Sequence, residues 1–155
     1  MTPGINTAKK AKIFYKVHEY SHDPKSDSYG AEAAEKMEVA EQRIFKTLVV
    51  RIGPKDLIVG VVPVASSLHM KSIAKAAGAK KAGMADPVDV EKSTGYVLGG
   101  VSPLGQKKKL ATIIDSSAQK HATIFVSAGR RGLELELKPD DLKDLTRGFF
   151  ADICR

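Results

Sequence analysis

Residues 43–64 limit the fold more than any other stretch of this 155-residue chain. RIFKTLVVRI and LIVGVVPV are two β-rich runs joined by Gly53-Pro54-Lys55-Asp56. β-branched residues favour strands and the Gly-Pro pair supplies a turn, so the spacing predicts a hairpin. A hairpin at mid-chain argues against a protein built only from βαβ units. Both runs are apolar at nearly every position, as suits central strands covered on two faces.

Other segments alternate around this pair. Residues 5–12 predict a short amphipathic helix with Ile5, Ala8 and Lys12 on one face. Ile13, Tyr15 and Val17 alternate with Phe14, Lys16 and His18, which predicts a strand over 13–20. A loop follows at Asp23-Pro24, and Ser28 is expected to cap a helix over AEAAEKME. Ser66 or Ser67 should open a helix closed by Gly78, and Asp86-Pro87 a shorter one ending before Gly95. YVL before the glycines is expected as a strand, KLATIID as a short strand or half-helix, and residues 121–129 as a strand. Leu133, Leu135 and Leu137 alternate with Glu134, Glu136 and Lys138, predicting a strand with one wet face. Pro139 should start a last helix with acidic residues in its first turn. The expected fold class is α+β: a mixed, mostly antiparallel twisted sheet or part-closed barrel with flanking helices, in one domain over 1–155.

Composition narrows function. One cysteine, Cys154, excludes an intrachain disulfide and a two-cysteine redox pair. The N-terminal residues lack the apolar core of a signal peptide, and no apolar run approaches the roughly 18 residues needed to span a bilayer. No membrane partner and a cytoplasmic location are therefore expected. The net charge of +7 is spread along the chain, with twelve basic against eight acidic residues in 1–77 and thirteen against ten in 78–155. A distributed positive surface attracts polyanions.

Two strings approach known motifs and fail on physical grounds. His18-Glu19-Tyr20-Ser21-His22 spells a zinc-hydrolase string, which needs a helix to put both histidines on one face. In the strand predicted here they stand about 13 Å apart, too far for one zinc. No metal or other cofactor is expected. GGVSPLGQKKK, residues 99–109, has the Gly100-to-Gly105 gap of a nucleotide-binding loop. Gln106 stands where the lysine belongs, no Ser or Thr follows, and Pro103 removes an amide from the cradle. The glycines with Ser102 still suit close approach to a carbonyl, carboxylate or phosphate oxygen, with Lys107, Lys108 and Lys109 as a basic rim. A flexible glycine hairpin beside a solvated basic run fits the composition equally.

Several polar residues stand out beside apolar strands. Lys46 sits inside RIFKTLVV, Tyr20 ends the first strand, and Ser127, Gly129, Arg130 and Arg131 form a cluster whose arginines suit phosphate. Lys71, Lys75, Lys80 and Lys81 make a basic ridge.

Taken together, EAAEKM at 32–37, FKTLVV at 45–50, residues 84–109 and IFVSAGRRGLELEL at 124–137 resemble the YbaK/EbsC family. These are free-standing relatives of the editing domain of bacterial prolyl-tRNA synthetases, and the likeness runs end to end, in the branch called Cys-tRNA(Pro) deacylase. The resemblance implies hydrolysis, in trans, of cysteine misplaced on tRNA(Pro), with the substrate's own thiol attacking its carbonyl and no protein nucleophile or metal. It implies a catalytic group of Lys46, Tyr20, Gly100 and Ser102. Gly99, Pro103 and Gly105 would shape the substrate loop, and Asp86 and Arg130 the pocket or its RNA contacts. Lys71 and Lys107 to Lys109 would meet the RNA backbone. The implied partners are cysteine-charged tRNA(Pro) and a complex with prolyl-tRNA synthetase, with no DNA. A deacylase for another small amino acid such as alanine, or a non-catalytic tRNA- or synthetase-binding module, fits the same residues.

Overall fold

The computed structural model describes residues 1–26 and 28–155. The predicted hairpin is present: β2 (Phe45–Arg51) and β3 (Leu57–Pro63) pair antiparallel, with Phe45 opposite Pro63 and Arg51 opposite Leu57. They form the centre of a five-stranded sheet. Three further strands complete it: β4 (Gly83–Met84), β5 (Ala111–Asp115) and β8 (Phe149–Ala151), in the order β4-β2-β3-β5-β8. The β3–β5 and β5–β8 pairs are parallel, so this sheet is mixed, as expected. A second, three-stranded antiparallel sheet has β7 (Leu133–Leu137) between β1 (Tyr15–Glu19) and β6 (Ile124–Arg130). A parallel bridge between Ile44 and Phe125 joins the two sheets.

Strand alternation sorts the core into two faces. Phe45, Val49, Val59 and Val61 pack toward Val126, Leu135 and Leu137 of the second sheet. The other face, Val50, Ile58 and Val62, packs with Ile73 of α3 (Met70–Ala76) and with Ile153. Each such aliphatic side chain, fully buried, contributes about 1.5–3 kcal/mol. A smaller cluster of Tyr20, Ala33, Ile44 and Phe125 lies under α2 (Tyr29–Met37).

Helix boundaries follow local chemistry. The Thr2 hydroxyl caps α1 (Pro3–Ala11), accepting from the Ile5 amide at 3.2 Å, and Ser28 caps α2 through the Ala31 amide at 3.3 Å. Asp86 and Pro87 do open α4 (Pro87–Thr94), which ends at Gly95 with φ +80°. Pro139 opens α5 (Pro139–Thr146).

Two expected boundaries fail. Neither Ser66 nor Ser67 opens α3; its N-cap is His69. Residues 67–69 are taken up by the C-terminal segment: Ser67 accepts from the Arg155 amide, Leu68 bridges Cys154, and His69 donates to the Ile153 carbonyl. YVL is not a strand, because its neighbourhood is spent on ending α4. The Tyr96 amide donates to Thr94 Oγ1 at 3.1 Å, and a turn from Val97 to Gly100 follows.

The 99–109 loop docks on α1. Gly105 has φ +70°, and a Cβ there would lie 2.4 Å from the Pro3 carbonyl carbon. Backbone at that distance cannot rotate away, so Gly105→Ala is expected to lower stability by about 1–3 kcal/mol or more. Gly99, with φ +90° but open space around it, should lose less on the same change. Urea denaturation checks this; equal midpoints for Gly105→Ala and the parent protein would remove the docking argument.

Candidate functional site

The site is built where β1 ends and β6 turns into β7. Tyr20 follows β1, and its amide donates to the Gly132 carbonyl at 2.9 Å. Gly132, at φ +90°, leaves only 2.7 Å between a would-be Cβ and the Tyr20 carbonyl, so the two segments touch through backbone. A cleft of about 550 Å³ opens there, lined by Glu19, Tyr20, Ser21, His22, Arg130 and Arg131. Gly100 closes on the same corner, since a Cβ at that position would lie 2.8 Å from the Arg130 Cα. Tyr20, Arg130 and Gly100, three of the expected residues, are therefore brought together.

Behind the cleft lies a wall of buried polar groups. Glu134 is fully buried, and the Tyr29 hydroxyl lies 2.5 and 2.6 Å from its two carboxyl oxygens. Burial pushes the Glu134 carboxyl up to about 8, against the opposing hydrogen bond from Tyr29. This corrects the expected wet face of β7: it is the middle strand of its sheet, and α2 covers the Glu134 side. Burial, with the charges of Glu134 and Glu32, pushes the Tyr20 phenol up to about 12. Tyr20 therefore stays protonated near neutrality and can donate a hydrogen bond but not abstract a proton. Its hydroxyl is buried without a partner among the described residues, as are Thr47 Oγ1 and Arg131 Nε and Nη2. Unpaired buried polar groups are rare and call for a partner, water or ligand, that the described residues do not supply.

Glu32 contrasts with Glu134. Burial opposes its charge, yet the Asp23 amide at 2.8 Å, His22 Nδ1 at 2.7 Å and Lys36 Nζ at 3.3 Å outweigh it and hold the carboxyl down to about 2. His22 is thus committed to Glu32, while His18 Nε2 lies 2.8 Å from Glu136. The two histidines of the HExxH-like string serve different carboxylates, which leaves that string without a shared metal position.

The other expected residues lie elsewhere. Ser102 is fully buried, its hydroxyl accepting from the Leu104 amide at 3.2 Å beneath Gly4. It holds the loop's turn and does not face the cleft. Pro103, Gly105, Lys108 and Lys109 line a separate cavity of about 460 Å³, with Arg147 on its rim. Lys107 and Lys108 are exposed but fixed, their amides donating to Thr94 and Ser93 carbonyls at 2.9 and 2.8 Å. Lys71 stands exposed on α3, across the five-stranded sheet from that loop, so these lysines form two surfaces and not one. Asp86 is exposed and pairs with Arg51 at 3.3 Å, beside a third cavity near Lys81 and away from Tyr20.

Lys46 does not line the Tyr20 cleft. It faces Val62 across the hairpin, on the face that carries Leu48 and Val50. Ile44, two residues back, belongs to the Tyr20 cluster, and at the other end the Lys46 charge reaches Cys154. Tyr29 and Glu134, behind the cleft, were missed in the sequence, and the leucine alternation concealed Glu134.

This fold and cleft place the chain among editing domains: the family description "Aminoacyl-tRNA editing domain" matches residues 23–145, and the chain belongs to that family. An Enterococcus faecalis relative named "Putative Cys-tRNA(Pro)/Cys-tRNA(Cys) deacylase EbsC" is 39% identical over 153 residues, covering 98% of this chain and 92% of its own. The uncharacterized protein YwhH of Bacillus subtilis is 29% identical over 125 residues, 80% of this chain and 79% of its own. A crystal structure described as "a putative trans-editing enzyme for prolyl tRNA synthetase" superposes with a TM-score of 0.84 at 24% identity, over 100% of this chain and 99% of that one. At that identity the likeness speaks to the fold.

The buried carboxyl gives a pH test. Glu134 rises from 4.5 to about 8 on folding. Between those values the native chain holds a proton that the unfolded chain has released, so stability falls as pH rises from about 4.5 through about 8. Glu134→Gln keeps a neutral hydrogen-bonding group and should lose that slope, gaining on the parent protein by a few kcal/mol between pH 5 and 9. Urea denaturation across that range checks it; parallel profiles would show that Glu134 titrates normally.

Proposed function

We propose that this chain, acting as one editing domain in the cytoplasm, hydrolyses the ester of cysteine mischarged on tRNA(Pro), in trans to prolyl-tRNA synthetase. The observation that carries this is 39% identity, along 98% of the chain, to a relative named for Cys-tRNA deacylation. The site's chemistry supports it. A synthetase pocket sized for proline discriminates weakly against a side chain as small as cysteine, so a second hydrolytic site is the physical remedy.

In the proposed reaction the substrate thiol attacks its own ester carbonyl. A carbon–sulfur bond forms, the carbon–oxygen bond to the ribose breaks, and the thiol proton ends on the released ribose hydroxyl. Water then opens the thiolactone to free cysteine. The protein's task is orientation, which can supply several kcal/mol of a barrier. Tyr20 donates to the ester end, and the Gly99-Gly100 turn packs beside it against the Arg130 backbone. Lys46 holds the nucleotide end by charge. The chain's own thiol suits no nucleophilic part: burial, with the Asp115 charge and hydrogen bond, pushes Cys154 up to about 12.

Deacylation of Cys-tRNA(Pro), Ala-tRNA(Pro) and Pro-tRNA(Pro) in parallel tests the proposal. Loss of cysteine well above the spontaneous rate is expected, with proline retained. Cysteine lost only at the spontaneous rate would overturn it, and hydrolysis of alanine alone would reassign the substrate. Lys46→Ala is expected to slow cysteine release at least tenfold, and a variant at full rate would remove Lys46 from the site.

A further inference from the structure

Arg131 is the one guanidinium of the Tyr20 cleft that its surroundings hold without hydrogen-bonding. Arg130, on the same rim, is committed to Glu19 at 2.5 Å. Arg131 lies 3.9 Å from Glu32, an ion pair too long for a hydrogen bond. The Glu32 oxygens already take His22 Nδ1, the Asp23 amide and Lys36 Nζ. The guanidinium also stands over the Tyr29 ring, 5.7 Å from its centre. Its charge is thus balanced and its plane fixed, while Nε and Nη2 have no partner among the described residues. Arg131 lines the cleft with a planar fork whose buried Nε and Nη2 still lack a partner among the described residues, a donor set that matches the paired oxygens of a phosphate.

We propose that Arg131 forms a phosphodiester-binding subsite of the Tyr20 cleft, receiving the backbone phosphate next to the terminal adenosine of an acceptor end. This rests on the aminoacyl-tRNA reading above and singles out Arg131 from the Arg130-Arg131 pair that the sequence marks as suited to phosphate. With the phosphate on Arg131, the adenosine and its ester lie toward Tyr20 and the Gly100 corner, which shares the Arg130 backbone. Arg131 then acts on binding and register, and the reacting atoms lie beyond it.

The test compares adenosine with adenosine 5′-methylphosphate, a phosphodiester mimic, as ligands in NMR titrations at low salt. The parent protein should bind the phosphodiester roughly ten- to a hundredfold more tightly, the range for charge-assisted hydrogen bonds. Arg131→Gln should bring the two affinities together. With Cys-tRNA(Pro), Arg131→Gln should raise KM far more than it lowers kcat. Equal affinities in the parent protein, or a preference that survives Arg131→Gln, would overturn the subsite. If Arg131→Gln does not fold, Arg131→Lys carries the test: a reduced preference supports the fork, and an unchanged one overturns it. The nucleoside comparison reads the subsite even if cysteine release fails, so the two proposals fall separately.

Discussion

A carboxyl group removed from water organises the working half of this molecule. Glu134 stands on the middle strand of the three-stranded sheet, where one face meets the core and the other meets α2. Leaving it ionised there is expensive, so it keeps its proton to about pH 8, with the Tyr29 hydroxyl as its partner. That contact fixes the start of α2 against β7. It thereby sets Tyr29 under Arg131 and places Glu32 to receive His22 and the Asp23 amide. Burial pushes Tyr20 up, helped by the Glu134 and Glu32 charges at the high pH where the phenol titrates. The cleft's inner wall consequently offers hydrogen-bond donors and a fixed cation. Such a wall suits a reaction whose nucleophile arrives with the substrate.

The glycine loop is the opposite construction: rigid backbone with its polar groups turned inward. Gly100 abuts the Arg130 backbone and Gly105 abuts Pro3, so each glycine marks a contact that a side chain would prevent. The Ser102 hydroxyl serves the Leu104 amide, the Tyr96 hydroxyl donates to the Leu104 carbonyl at 2.6 Å, and Gln106 Nε2 donates to the Ser102 carbonyl at 2.9 Å. Gln106 occupies the place that a nucleotide-binding loop gives to lysine. Here it closes the loop on itself, which explains the misfit by structure and not by phosphate chemistry.

What the sequence made legible was local. The β2–β3 hairpin, the Ser28 cap and the proline starts of α4 and α5 each depend on neighbouring residues, and each is present. Long-range partners were not legible. Ser66 and Ser67 look like helix caps until the chain's last residues claim residues 67–69. β4 and β8 are two and three residues long and owe their existence to the strands beside them. Glu134 is the sharpest case, since leucine alternation predicts water on its side and only the arrival of α2 removes it. Of the candidate cleft, the sequence singled out Tyr20 and Arg130, and Gly100 packs on the Arg130 backbone beside it, but nothing local told the role of Ser102 in the turn from that of Gly100.

Lys46 and Thr47 show how one pleat separates two neighbouring polar residues. They are adjacent, so the strand sends them to opposite faces. Thr47 shares the Phe45 and Val49 face and keeps a buried, unpartnered hydroxyl. Lys46 shares the Leu48 face, whose ends are the Tyr20 cluster at Ile44 and the Asp115–Cys154 pair. Asp115 is the nearby carboxylate that would be expected to take its ammonium, but it is already filled. One of its oxygens accepts from the Ile153 amide at 3.0 Å, and the other from the Ser117 amide and hydroxyl at 3.2 and 2.5 Å. Lys46 makes no ion pair among the described residues. A flexible four-carbon stem with an uncompensated charge can move where a buried pair could not. Ser117 and the Ile153 amide together satisfy Asp115, which leaves the Lys46 charge without an ion pair among the described residues.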